Sequence, residues 1–136
     1  MTLTAIAIFI AATGVFFLIA DALMLGFVMG PMFRTHLGTG LLDGLRAGPA
    51  IAFYVLYMGG LTYFAGIPAL RDGAATTALV QGAVLGLIAY GTYELTSWTV
   101  MRDWHPQMVI MDMAWGTVLS GVSAYIGARV ALAFTS

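Results

Sequence analysis

The chain contains no cysteine and no lysine, and only 8% of its 136 residues are charged. Without cysteine there are no disulfides, thiol nucleophiles, thiolate metal sites or thiol redox chemistry, and the redox compartment stays open. Five arginines against six acids give a net charge of −1, so there is no basic face for nucleic acid. A soluble domain of this size carries about 25% charged residues. A chain so poor in charge cannot clothe a water-facing surface.

What is present is apolar. Hydrophobic residues make up 61% of the chain and the mean hydropathy is +0.97, which makes it an integral membrane protein, with one small domain as the expected count. A spanning helix needs about 20 largely apolar residues. Four such runs stand between the glycine, proline and charge clusters, at approximately residues 3–29, 47–67, 74–101 and 106–134. The expected fold is all-α, a polytopic bundle of four transmembrane helices with membrane lipids around it. The first run lacks the positive n-region of a secretory signal and is longer than a signal's apolar core, so it reads as a retained helix.

Gly30-Pro31, Pro68 with Arg71-Asp72-Gly73, and Arg102-Asp103 with Pro106 mark the breaks. The second and third connections are short, so helices two and three, and three and four, are antiparallel neighbours. The longer first connection, Met32 to Arg46, mixes apolar residues with Arg34, His36, Asp43 and Arg46, as an interfacial loop or short amphipathic helix does. Arg34, Arg46 and Arg102 lie on one side, Arg71 and Arg129 on the other. The positive-inside rule then puts both termini outside the cytoplasm.

Three carboxylates interrupt the apolar runs: Asp21, Glu94 and Asp112. An ionisable side chain in hydrocarbon costs roughly 2.5 kcal/mol or more and persists where it faces a bundle interior, a partner or water. Residues equally distant from a hairpin turn lie at equal depth. Glu94 and Asp112 are each nine residues from Asp103, and Asp21 precedes Gly30 by nine. All three are expected in one half of the bilayer, with the paired acids on the order of 9 Å inside the connection. Facing agrees with depth. Gly82, Gly86, Tyr90 and Glu94 recur every fourth residue on helix three, continued by Ser97 or Trp98. Asp112, Gly116, Ser120, Ser123 and Gly127 form a comparable stripe on helix four. Such small-residue faces allow close helix approach, which would bring Glu94 and Asp112 together to share a proton, hold a cation or receive a basic group.

A purely structural role is the competing reading, with the acids neutral and bonded to Tyr90, Tyr93, Thr96 or Ser97 as interhelical glue. Trp115, one turn beyond Asp112, is expected to pack over that acid, while Trp98 and Trp104 sit where an aromatic belt belongs. Tyr54, Tyr57 and Tyr63 can offer hydroxyls to the bundle. His36 and His105 are expected near the acids' side, but their spacing matches no metal motif, and neither a metal nor another cofactor is called for. His105-Pro106 reads as a helix start, and Arg129 as a snorkelling residue.

The run from Gly86 to Gly121, GLIAYGTYELTSWTVMRDWHPQMVIMDMAWGTVLSG, resembles the signature of the bacterial membrane family DUF2177, a domain of unknown function. That pattern has Tyr-x-Thr-Tyr-Asp-Leu-Thr-Asn, then Trp, then Asp-x-Ala-Trp-Gly-Thr. Its counterparts are Tyr90 to Ser97, Trp104, and Asp112 to Thr117. FLIADALMLG, Phe17 to Gly26, is similar to the family's Phe-Leu-x-x-Asp-x-x-Trp-Leu-Gly, and Pro49 to Leu61 to its second helix. Glu94 replaces the family's Asp, Ser97 its Asn, and Met24 its Trp. The resemblance implies a four-helix membrane protein with Asp21, Glu94 and Asp112 at motif positions, and no activity.

Three functions remain in competition. The first is proton- or cation-coupled transport through the carboxylates, by a homo-oligomer because four helices are thin for an enclosed path. The second is a non-catalytic accessory or scaffold subunit of a larger membrane complex, or a lipid-binding protein. The third is an intramembrane lipid-modifying enzyme, which no nucleophile or phosphate motif supports; an enzyme is the less expected class. The expected location is the bacterial inner membrane.

Overall fold

A computed structural model describes residues 2–41, 44 and 46–135. Asp43, part of the expected interfacial segment, lies outside the described residues. Four long helices carry the chain, each long and apolar enough to cross a membrane, and no strand occurs among the described residues. The first consists of α1 (Leu3–Met24), a π-helical turn at Leu25–Met29, and α2 (Gly30–Leu37). The second consists of α3 (Ala47–Leu61), a π-helical turn at Thr62–Gly66, and α4 (Ile67–Asp72). The third and fourth are unbroken, α5 (Ala75–Val100) and α6 (Pro106–Thr135), within a residue of expectation.

The first two helices run past their expected ends, for a shared reason. A proline has no N–H to give and its ring crowds the carbonyl four residues back. Ahead of Pro31 and Pro68 the helix widens instead of stopping. The Gly30 N–H bonds to the Leu25 carbonyl and the Ile67 N–H to that of Thr62, each five residues back, so the proline enters as an early residue of a fresh α-turn. Gly30 is needed at its turn because a Cβ there would collide with the Leu25 carbonyl oxygen. The stops come later, at Gly38 (φ 54°) and Gly73 (φ 67°), where the positive φ favours glycine. The first helix, on the order of 52 Å long at 1.5 Å per residue, outruns the roughly 30 Å hydrocarbon core, and its last part, α2, covers residues 32–37 of the segment expected at the interface.

Close packing centres on α6, which lies against α5 and α1. A Cβ on Gly82 would come within 2.7 Å of the Ser120 carbonyl oxygen, and one on Gly86 would strike the Gly116 carbonyl. Glycine therefore lets the two backbones touch along the expected seams, where dispersion and not hydrophobicity holds helices together. Gly127 plays the same part against Thr13 and Phe9 of α1. The π turn of the second helix and α4 join this core, burying Ala65, Gly66, Ala69 and Leu70. By contrast α3 approaches its neighbours' backbones at few points and buries only Tyr57 and Leu61. At the end where the acids lie, it stands off.

Candidate functional site

The acids are carried by three helices and meet at the α3 end of the bundle. Asp21, one turn before the π-helical segment, is buried at 6% exposure. Its two oxygens are each satisfied, Oδ2 by the Tyr54 hydroxyl at 2.7 Å and Oδ1 by the Trp115 indole N–H at 3.2 Å. One acid thereby ties together α1, α3 and α6. Glu94 is fully sealed, at 0% exposure. The indole N–H of Trp104 donates to its Oε1 at 3.0 Å, while Oε2 is buried with no hydrogen-bond partner among the described residues. Asp112 is half-buried, and its carboxyl lies against that of Glu94, close enough for a hydrogen bond between them when one is protonated. The charged groups acting on Asp112 are both acids, Glu94 and, farther off, Asp21.

The donors differ from those expected. Thr96 turns its hydroxyl back to the Thr92 and Tyr93 carbonyls of its own helix, and no hydrogen bond joins Tyr90, Tyr93 or the Ser97 side chain to an acid among the described residues. The indole of Trp115 reaches from α6 across to Asp21 of α1, to which it donates. Trp104 is no belt residue. The short α5–α6 connection folds back, burying its ring at 8% exposure under Met32, Phe33 and Leu37 of α2 and edge-on to Tyr93 at 5.6 Å. Of the second helix's tyrosines, Tyr54 and Tyr57 do supply hydroxyls, the latter to Ser120 Oγ at 2.6 Å, whereas Tyr63 is exposed.

Tyr90 and Tyr93 have another place. With Phe53, Tyr54, Asp21 and Asp112 they line a cleft of about 330 Å3 beside α3. Tyr90 lies flat over Gly116, where any Cβ would overlap its ring. A wider cleft of about 780 Å3 shares Leu25, Tyr93 and Asp112 with it and reaches Arg34 and Arg46. Asp112 stands where the two join. The histidines lie on the same side, stacked at 4.2 Å with rings 13° from parallel. His36 pairs with Gln107 Oε1 at 2.9 Å, and the His105 Nδ1 accepts the Gln107 backbone N–H at 3.0 Å, so His105 serves as the cap of α6. Among the described residues no three of His, Asp and Glu come together as a metal site.

Residues 6–129 match the sequence model of a family described as "Predicted membrane protein (DUF2177)". No curated protein and no solved structure matches the chain.

Proposed function

The chain belongs to the DUF2177 family of predicted membrane proteins, and from the geometry of its own residues we propose that it is a carrier exchanging protons for cations at the Glu94–Asp112 pair. One observation carries the reading. A sealed carboxyl with one bare oxygen, Glu94 Oε2, adjoins a second carboxyl that faces an open cleft. Two ionised carboxylates side by side repel each other, and a proton held between them both removes the repulsion and gives the bare oxygen its partner.

A cation entering beside Asp112 supplies the same compensation and displaces the proton. The pair then carries one more negative charge and the cation one positive charge, so the net charge of the site is unchanged by the exchange. Trp104 holds Glu94 in place through it. Asp21, with a donor on each oxygen, remains the fixed negative charge of the cleft. The arm α3, standing off above its π-helical turn, is the element that opens and closes the cleft; such turns are frequent at functional sites. The carrier works as a homo-oligomer in the bacterial inner membrane with both termini outside the cytoplasm.

The reading is tested in proteoliposomes holding a pH-sensitive dye. An imposed gradient of transported cation should drive proton movement in the wild type, and Glu94→Gln or Asp112→Asn should abolish it. Wild-type rates in both variants would refute the exchange, and correctly inserted wild-type protein that moves neither alkali nor organic cations would refute transport.

A further inference from the structure

We propose that the smaller cleft is a binding site for a monovalent organic ammonium, an inference that rests on the exchange reading and names its substrate class. The walls decide between kinds of cation. Phe53, Tyr54, Tyr90 and Tyr93 line the cleft together with Asp21 and Asp112, and aromatic faces attract alkylated ammonium groups through their quadrupoles. A divalent metal ion instead asks for several oxygen ligands in its first shell. Here the Asp21 oxygens are already taken by Tyr54 and Trp115, and no three acidic or histidine side chains gather tightly enough to hold a metal among the described residues.

A second observation points to a positively charged guest. Glu94 Oε2, fully buried and without a partner among the described residues, belongs to the carboxyl paired with Asp112, so displacing the shared proton adds one negative charge next to the cleft that Asp21 and Asp112 line. One monovalent cation balances that change. The volume, about 330 Å3, sits at the low end of small-molecule sites and suits an amine with one ring. Arg34 and Arg46 line the outer cleft and oppose a hydrated cation arriving from water, whereas Phe53 of α3 is exposed. The route that remains is lateral, from the bilayer, which an amphiphilic amine can take.

The test uses the full chain in lipid nanodiscs, titrated with benzyltrimethylammonium, with its uncharged carbon isostere neopentylbenzene, and with sodium. Calorimetry in two buffers of different ionisation enthalpy counts the protons released. Saturable binding of the ammonium with proton release, at least about tenfold tighter than the isostere, is expected. Tyr93→Leu should weaken it about tenfold and Tyr93→Phe, which keeps the ring, should leave it unchanged. Equal affinity for the isostere, no saturable ammonium binding, or Tyr93→Leu matching wild type in a folded protein would overturn the proposal. Proton-linked sodium flux without ammonium binding would sink this inference and leave the carrier standing. Ammonium binding with neither flux nor proton release would do the reverse.

Discussion

At the scale of single residues, the chemistry of the site is a contrast between two ways of holding a buried acid. Asp21 has two donors and Glu94 one. Trp104→Phe keeps an aromatic ring against Tyr93 and Phe33 but removes the indole donor to Glu94. It should lower stability by about 1.5–3 kcal/mol, the range for a hydrogen bond to a charged group, in denaturant unfolding of the protein in detergent. Tyr54→Phe should cost less, because Asp21 keeps Trp115. An equal effect of the two substitutions would show that Trp104 is not the sole support. The acids themselves were legible in the sequence, because a charge in an apolar run stands out and hairpin counting gives its depth. The donors were not. Counting fixes the level of a residue but not the direction of its side chain round the helix, and Trp104 read as a belt residue because nothing in its spacing reveals that the connection folds back over Glu94.

At the scale of elements, small residues set the spacing of the helices and π-helical turns set their reach. Gly86 has a carbonyl against it whereas Gly59 has nothing within 4 Å. Gly86→Ala should therefore destabilise by about 1–3 kcal/mol, while Gly59→Ala should be neutral or stabilise by up to about 1 kcal/mol through helix propensity. Matching unfolding midpoints for the two would mean that the α5–α6 seam is looser than described. Those seams were legible because a four-residue repeat of small side chains has few uses other than close approach. The helix ends at Pro31 and Pro68 were misread, since proline stops a helix only when the preceding turn keeps its α-register. Gly30, whose missing Cβ leaves room for the Leu25 carbonyl, directly precedes Pro31, and that pairing of glycine with proline is the trace the widened turn leaves in the sequence.

At the scale of the whole molecule, a tight core of α1, α5, α6 and the α4 end of the second helix carries an arm, α3, hung from the π turn at Thr62–Gly66. The chain has no cysteine, so the arm can be probed on a clean background. Leu25 and Ala50 line the cleft from opposite helices. In the Leu25→Cys, Ala50→Cys double variant, a short cleavable bismaleimide should halt exchange and a cleaving agent should restore it. Undiminished exchange in the crosslinked protein would remove α3 as the moving element. The most direct test of the central claim is infrared difference spectroscopy of the protein in bilayers near neutral pH, following the carboxylic-acid C=O band. A single protonated carboxyl is predicted, lost in Glu94→Gln and equally in Asp112→Asn, because either amide can donate to the remaining carboxylate. A band that survives both substitutions, or no such band in the wild type, would contradict a proton shared between Glu94 and Asp112.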